Sequence, residues 1–262
     1  MISLEPPETK WDLRWRMLGV AVRVSIWFWL STLILGCNDK NIEIKGLLVW
    51  IACVFFSIML HEFGHALTAR FFGSRSVRVV LYHLGGLAIS DGGLTRKQRM
   101  LMIFMGPVAG FILYGIIFGC SYLVDYEALP HYACVAIFYL KFLNLVWGFV
   151  NLLPIFPLDG GQLAREIFEA RNFSKGLRQS LVLSLYTAVV VACASLIVLV
   201  FQKLNVYHFP WLPIQPDFFL VIFFAGLAYL SWYLARPHML EAQHANEEAR
   251  QPWEQDPDWW KK

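Results

Sequence analysis

The sequence predicts an all-α polytopic membrane protein with about six transmembrane helices and a small membrane-associated β-hairpin after the second helix. Of its 262 residues, 58% are hydrophobic and only 16% are charged, whereas a soluble domain has about 25% charged residues. The apolar residues are gathered into runs that approach the ~20 residues a helix needs to cross a bilayer. These runs do not alternate, so they are expected to be helices rather than strands of a barrel.

Six apolar runs are predicted to cross the membrane, and they divide the chain into three parts. The parts are a short N-terminal segment (1–16), a six-span domain (17–236) and a polar C-terminal tail (237–262). The six predicted spans are 17–35, 46–72, 101–124, 132–154, 181–201 and 218–234.

The basic residues indicate how these spans are oriented. If the N-terminus is cytoplasmic, the inner segments carry 17 of the 22 lysine and arginine residues and the outer connections carry 3. Cytoplasmic loops are normally the ones rich in lysine and arginine, so both termini are predicted to be cytoplasmic. Arg23 falls inside the first predicted span, near enough to its inner end to reach the interface.

Composition also excludes one class of partner. The net charge of +3 is small, and no basic run is interleaved with aromatic residues, so no nucleic-acid partner is expected. The five cysteines are scattered and form no Cys-x-x-Cys pair, which indicates small buried apolar side chains instead of a disulfide framework or a zinc knuckle.

The second span ends in the pattern His-Glu-x-x-His, at His61, Glu62 and His65. On a helix, residues four apart share one face, so the two imidazoles can bind one zinc ion. Zinc lowers the pKa of a bound water molecule toward ~7, and Glu62 is placed to accept its proton. The alternative is a pair of structural histidines near the membrane interface. Ionisable groups inside a span are costly and usually functional, which favours the metal site.

The third metal ligand is predicted to be Asp159, after the fourth span. A catalytic zinc usually has three protein ligands and a water molecule, and Asp159 emerges on the same side of the membrane as the histidines. Pro154 and Pro157 prevent a regular helix there, so the backbone must turn. The alternative is that Asp159 caps the helix that follows.

The two motifs together resemble the site-2 protease family of intramembrane zinc metalloproteases. That family combines His-Glu-x-x-His in one helix with Asn-x-x-Pro-x-x-x-Leu-Asp-Gly in a later one. The second signature is matched at Asn151, Pro154, Leu158, Asp159 and Gly160. Gly106–Gly110 and Leu84–Leu87 also resemble family elements, although family members often have asparagine at the position of Gly110. The resemblance covers residues of about 46–172, and it implies a compact six-span member without a PDZ or CBS domain.

The resemblance implies a catalytic core at about 46–172, with one Zn²⁺ per chain held by His61, His65 and Asp159 and with Glu62 as the catalytic base. Asn151 could support the oxyanion or the substrate, or could instead bridge the broken helix to its neighbours. Glu62 would then pass its proton to the leaving amine.

Residues 77–82 have the β-branched and aromatic content of a strand, and residues 84–90 could return as a second one. One edge of this hairpin, at Gly85 and Gly86, could accept an unwound substrate as an added strand. The alternative is an interfacial hairpin that only packs on the helices.

The predicted function is an intramembrane zinc endopeptidase that cleaves a membrane-anchored protein in or near its transmembrane segment, in regulated intramembrane proteolysis. The expected setting is a prokaryotic plasma (inner) membrane, with the active site toward the cytoplasm and a regulatory membrane partner. The alternative from another class is a metal-ion transporter or channel that uses the His/Glu/Asp cluster as a transit site. No inverted repeat of the kind that many transporters have is found, and the intact Glu62 argues against a catalytically dead scaffold.

Overall fold

The computed structural model describes residues 7–37, 43–83, 85–90, 93–123, 125–204, 218–237 and 239–240. Leu84 and nearly all of the predicted polar tail lie outside the described residues. The chain divides into two compact units, one ending at Phe149 and one beginning at Val150.

The first unit contains a four-stranded sheet in the order β1-β2-β3-β4. Strands β1 and β2 form one antiparallel hairpin, strands β3 and β4 form another, and β2 pairs with β3 in parallel. Gly19, with a φ of 74°, and Leu18 make the tight turn of the first hairpin. The strands are β1 (Leu13–Met17), β2 (Val20–Val24), β3 (Val77–Tyr82) and β4 (Gly85–Ser90).

The two faces of this sheet differ because side chains alternate along a strand. The inner face is built from branched apolar side chains of β2 and β3, which form one buried core with residues of a long helix that includes Ile58 and Phe63. The inner-face members of that core are Val20, Val22, Val24, Val77, Val79 and Leu81. The outer face carries the arginines of β1, β2 and β3.

Five helices complete the first unit and its boundary: α1 (Ile26–Gly36), α2 (Ile44–Phe71), α3 (Arg96–Ser121), α4 (His131–Phe142) and α5 (Gly148–Asn151). Helix α1 leaves the sheet after β2 and packs against α2, where the Trp50 indole donates to the carbonyl of Thr32 at 3.0 Å. Helix α2 returns to the sheet and leads into β3. Helix α3 begins at a capping box formed by Thr95 and Gln98. A π-helical turn, Leu143–Trp147, joins α4 to α5.

The second unit consists of α6 (Asp159–Arg171), α7 (Phe173–Lys203) and α8 (Phe218–Leu234). Ile155, Ala188, Phe224 and Ala228 form its apolar core. The hydroxyls of Ser184 on α7 and Ser231 on α8 are hydrogen-bonded at 2.6 Å, and both are fully buried. Small polar side chains of this kind join helices closely in an apolar setting.

Four helical stretches among the described residues are long and apolar enough to cross a membrane: 44–71, 96–121, 131–151 and 175–203. They correspond to the second, third, fourth and fifth predicted spans. The sixth, 218–234, is a helix with the predicted bounds but only 17 residues long. The structure therefore supports an integral membrane protein with four candidate spans, and six spans are not confirmed.

The first predicted span, 17–35, is wrong as a continuous helix. Its first half is a turn and strand β2, and only Ile26–Gly36 is helical. The fold is mostly helical but not all-α. Its sheet has four strands, and the predicted two-stranded hairpin is one half of it. Arg23 lies in β2 and not in a span, where its guanidinium is 3.5 Å from the Asp12 carboxylate. Hydropathy misled the prediction here because a buried strand is as apolar as a short membrane helix.

Candidate metal centre and the residues around it

Helix α2 carries His61, Glu62 and His65 in its second half, and all three residues are buried, with only 5–6% of their surface exposed. The four-residue spacing places both imidazoles on one face of the helix, as the sequence predicts. Their Nε2 atoms are 3.2 Å apart. Two imidazole nitrogens that approach this closely converge on one point in space, which is the geometry a shared cation requires.

The imidazole of His65 is oriented by α3. Its Nδ1 is 2.8 Å from the carbonyl oxygen of Met102, and a carbonyl accepts only, so Nδ1 carries the proton. The unprotonated Nε2 then faces His61 and is available to a metal. A hydrogen bond on the far nitrogen of a histidine ligand is the usual way in which proteins fix its tautomer and ring orientation.

Helices α2 and α3 pack closely, and glycines at their contact leave room for this imidazole. A Cβ added at Gly106 would overlap the ring of His65, and one added at Gly64 would overlap the backbone of Met105. In the sequence, Gly106 stands out as the first residue of a run that resembles a family element. The structure gives it a sharper role, since any side chain there would displace a predicted metal ligand.

Asp159 is the first residue of α6 and is 8% exposed. The N-cap residue of that helix is Leu158, and it makes no side-chain capping bond. The turn before the helix is tight, because a Cβ at Gly160 would overlap the backbone of Leu152. Among the residues that the structure describes, His61, His65 and Asp159 form a group whose ligand atoms all lie within 4.8 Å of one another.

This donor set fits zinc. Two imidazoles and one carboxylate are ligand types that Zn²⁺ accepts, and three protein ligands leave the fourth tetrahedral position for water or substrate. All three groups are buried, so their polar atoms are withdrawn from solvent. Imidazole nitrogens and a carboxylate that are withdrawn from solvent in this way are suited to bind a cation.

Glu62 lies against the hairpin formed by β3 and β4. A Cβ added at Gly86 would overlap the Glu62 side chain, whereas one at Gly85 would meet no atom within 4 Å. Burial, together with the charge of Glu62, raises the pKa of the Tyr82 phenol at the end of β3. The hairpin predicted from the sequence is therefore present, and its Gly86 and Tyr82 border the predicted catalytic base.

A small cavity of about 10 Å³ lies beside His61, and its lining includes Ser57, Gly110 and Asn144. That volume is close to the ~10–15 Å³ that one water molecule needs. The Asn144 amide donates to the Ser57 hydroxyl at 2.9 Å. Asn144 sits in the π-helical turn, and such turns are frequent at functional sites.

Sequence reasoning did not identify several of these supporting groups. The hydrogen bond from His65 goes to a backbone carbonyl, which leaves no mark in the sequence. Asn144 offered a signal, a polar residue inside an apolar run, that could have been read as functional. Asn151 is buried at the end of α5, and its predicted role stays a prediction.

Comparison with known proteins agrees with this site. Residues 49–129 and 127–196 match the profile described as Peptidase family M50, and the matched stretch contains His61, Glu62, His65 and Asp159. It extends over more than half of the chain. The chain belongs to peptidase family M50. This membership confirms the predicted resemblance, and it favours a peptidase over the transporter alternative.

Two curated relatives of the M50 chain are similar over much of its length. The zinc metalloprotease MJ0392 of Methanocaldococcus jannaschii is 28% identical over 157 residues, which cover 60% of this chain and 45% of the relative. Stage IV sporulation protein FB of Bacillus subtilis is 31% identical over 192 residues, which cover 72% of this chain and 62% of the relative. The chain thus spans about half to three-fifths of the length of these relatives.

A solved structure shares the fold. The site-2 protease from Methanocaldococcus jannaschii superimposes with a TM-score of 0.55 at 23% identity, over 86% of this chain and 96% of that one. The family match and the name of the zinc metalloprotease MJ0392 agree with the predicted class, zinc metalloprotease, and with the predicted zinc cofactor.

Proposed function

We propose that this M50 chain is an intramembrane zinc endopeptidase that hydrolyses a peptide bond in or near the transmembrane segment of a membrane-anchored protein. One observation carries the proposal. The buried histidine pair and Glu62 lie within α2, a helix whose length and composition suit a membrane span. A hydrolytic site at that depth is accessible to a peptide that also lies in the membrane.

The metal would be held by His61, His65 and Asp159. When bound, zinc supplies a Lewis acid that makes a water molecule more acidic and polarises the scissile carbonyl. His65 keeps its Nε2 available because its Nδ1–H donates to Met102. Asn151 would support either the developing oxyanion or the substrate.

Glu62 moves the proton. Its carboxylate accepts a proton from the attacking water as the new carbon–oxygen bond forms. It then donates that proton to the amine nitrogen as the carbon–nitrogen bond breaks. Since the side chain is only 5% exposed, bulk water is largely kept from this carboxylate, which strengthens its electrostatic interactions with the reacting groups.

The outer edge of β4 would hold the substrate. Strand β4 is at one end of the sheet, so no strand among the described residues pairs with its outer side. An unwound substrate segment can add to such an edge through main-chain hydrogen bonds. Gly86 on this strand borders Glu62, so an added strand would run past the catalytic base.

A peptide substrate with single N-methylated amides tests strand addition without altering the enzyme. Only every second amide of an added strand points toward β4. A methyl group on one of those amides near the scissile bond should therefore abolish cleavage, and a methyl group on an amide between them should not. Equal cleavage at all positions would favour the interfacial hairpin that only packs on the helices.

The setting that we propose is a prokaryotic inner membrane, with both termini and the site toward the cytoplasm. The substrate is a membrane-anchored regulator, and a membrane partner controls the reaction. The basic-residue distribution supports this orientation. The parallel pairing of residues 21–24 with residues 78–81 supports the same orientation, because that orientation puts both segments on the cytoplasmic side.

The decisive experiment replaces the catalytic base. Glu62→Gln should keep zinc bound, because Glu62 is not a ligand, and should abolish cleavage. Membrane proteomics of cells with either protein would then reveal a full-length membrane protein that accumulates only with the variant. Glu127→Gln, an exposed carboxylate outside the site, is the matched control and should behave like the wild type. Retained cleavage by Glu62→Gln would overturn the proposal.

A further inference from the structure

Asp159 follows a stretch of chain without regular secondary structure. Residues 152–158, the ligand loop, lie between α5 and α6, and the two prolines in the loop prevent a helix there. The N–H groups of Ile155 and Leu158 donate to the carbonyls of Leu153 and Ile155, at 2.6 and 2.8 Å. Hydrogen bonds inside the loop shape it but do not fix where it lies. A contact with another element is needed to hold Asp159 in place.

The backbone of Phe156, three residues before Asp159, makes such a contact. Its N–H donates to the hydroxyl oxygen of Ser184 on α7 at 2.7 Å. The Phe156 side chain also packs against an apolar cluster that includes Leu181 of α7 and Leu234 of α8. The ligand loop is therefore attached to these two helices by a hydrogen bond and by apolar packing.

Ser184 is oriented by a second serine, Ser231 on α8. Ser231 donates its single hydroxyl proton to the carbonyl of Leu227 at 2.8 Å. It can therefore only accept in its 2.6 Å contact with Ser184. Ser184 then donates its own proton to Ser231, and its oxygen is left to accept from Phe156. Three hydrogen bonds thus run in one direction, from the ligand loop through α7 to the backbone of α8.

The burial of the two serines makes this arrangement difficult to replace. Ser184 and Ser231 are both 0% exposed, and α7 is long and apolar enough to cross a membrane. In such a setting no water molecule is at hand to accept from a backbone N–H that has lost its partner. The Phe156 N–H is therefore held at the position where the Ser184 hydroxyl can accept from it.

Ser180, one helical turn earlier on α7, lacks this connection. It is also buried, but its hydroxyl donates to the carbonyl of Leu177 in its own helix at 2.8 Å. A serine in α7 can thus satisfy its hydroxyl without reaching another element. The bond from the ligand loop to Ser184 is a specific feature of that position.

We propose that Ser184, oriented by Ser231, is a positioning residue for metal binding: it fixes the ligand loop so that the Asp159 carboxylate is held ready for zinc. The inference rests on the proposed function, because it takes Asp159 as the third ligand. It gives α7 and α8 a part in the chemistry, although neither helix carries a predicted ligand. Groups that orient a metal ligand without touching the metal contribute about 10- to 100-fold to metal affinity.

The zinc affinity of the purified full chain, measured by competition with a chromogenic chelator, tests this role. Ser184→Ala removes the acceptor of the Phe156 N–H and should weaken zinc binding on the order of 10-fold. Ser180→Ala is the matched control, because it removes a buried hydroxyl from the same helix and leaves the ligand loop untouched. It should bind zinc like the wild type. Asp159→Ala removes a ligand outright and should weaken binding more than Ser184→Ala does.

Cobalt provides a second readout, which a purely structural role would not change. Co²⁺ in the zinc site absorbs visible light in bands that depend on the arrangement of its ligands. The bands of Ser184→Ala should be shifted from those of the wild type, whereas the bands of Ser180→Ala should coincide with them. Thermal unfolding of the metal-free proteins measures any loss of fold stability separately.

Two results would overturn the inference alone. In one, Ser184→Ala matches the wild type in zinc affinity and in Co²⁺ bands while Asp159→Ala loses zinc. In the other, Ser184→Ala and Ser180→Ala are weakened equally. Wild-type zinc affinity in Asp159→Ala would instead overturn the ligand assignment, and the inference with it.

If Ser184→Ala does not fold, Ser184→Cys decides. A thiol fills the same position but is only a weak acceptor, so a smaller loss of zinc affinity is expected. An unchanged affinity in that variant would count against the positioning role.

Discussion

The β3–β4 hairpin and the β1–β2 hairpin belong to one sheet and share one apolar inner face, yet their surroundings differ. The β3–β4 hairpin reaches the predicted catalytic base, where Gly86 leaves no room for a side chain beside Glu62. The β1–β2 hairpin carries Arg14, Arg16 and Arg23 on the outer face, and Arg14 and Arg23 form ion pairs with Glu8 and Asp12.

The difference suggests separate roles for the two halves of the sheet: one constrains Glu62, and the other stabilises the fold. A substitution in the β3–β4 hairpin beside Glu62, at Gly86, should change the reaction more than the stability. A substitution among the ion pairs of the β1–β2 hairpin should change the stability more than the reaction. The following substitutions test whether the two hairpins act independently.

The largest effect is expected at Gly86. Gly86→Ala places a methyl group where Glu62 now lies, so the carboxylate must move. A displacement of about 1 Å in a catalytic group can lower the rate about 100-fold. Zinc content should stay at the wild-type level because Glu62 is not a ligand. Cleavage of the substrate found by proteomics, measured with purified protein, checks the rate.

Gly85→Ala is the matched control for that variant. Its added methyl group meets no atom within 4 Å, so cleavage should stay near the wild-type rate. If Gly85→Ala and Gly86→Ala cleave equally well, the hairpin does not constrain Glu62.

The second effect is expected at Arg23, which is only 7% exposed. Arg23→Gln removes the guanidinium that forms an ion pair with Asp12 at 3.5 Å, and the loss of one partner of a buried polar interaction costs about 1–3 kcal/mol. We expect a loss of stability of that order and an unchanged rate per folded molecule. Thermal unfolding in detergent, followed by the cleavage assay, separates the two quantities.

Lys10→Gln makes the same change of charge at an exposed position of the same segment. It should leave the unfolding temperature almost unchanged. A fall in the specific activity of folded Arg23→Gln protein would show that the two hairpins are not independent.

The smallest effect is expected from the titration of Asp12. Its pKa lies below the ordinary value of 3.8: burial opposes the shift, but hydrogen bonds from Thr9 and the charges of Arg23 and Arg14 outweigh it. A carboxyl with a lowered pKa in the folded state stabilises the protein above its ordinary pKa and loses that effect as the pH falls. Wild-type stability should therefore decline below about pH 4 more steeply than that of Asp12→Asn. If the stability of the two proteins changes in parallel between pH 3 and 6, the titration of Asp12 does not contribute to the loss of stability in acid.

The two hairpins also differ in how well the sequence predicts them. The sequence places β3 at 77–82 and the return strand at 84–90, and the observed strands nearly coincide with these bounds. Turn residues and a change of composition separate that hairpin from the helices on either side. Strand β2 instead passes into an apolar helix through Ser25 alone, with no glycine or proline between them, so hydropathy merges the two into one false span.

A signal for the first hairpin was present in the sequence. Leu13-Arg14-Trp15-Arg16-Met17 alternates apolar and basic residues, which is the period of a strand, and Gly19 follows at a turn. What the sequence does not show is the parallel pairing of β2 with β3, because that contact joins residues separated by two helices.

The metal centre, too, has features that the sequence predicts and features that it does not. The spacing of His61 and His65 on one helix is a local property and can be read from the sequence. The space that Gly106 leaves for His65 exists only after α3 has packed on α2. It depends on backbone contacts between elements that are distant in sequence, and no local pattern reports them.

The parallel contact of β2 with β3 also sets an order for biosynthesis. Strands β1 and β2 leave the ribosome first, but β3 is made only after α1 and α2 have been translated. During that interval β2 presents an open edge that other chains can pair with. The nascent N-terminal hairpin must therefore wait beside the translocation machinery until α2 is inserted, and any delay in that insertion exposes the newborn chain to aggregation.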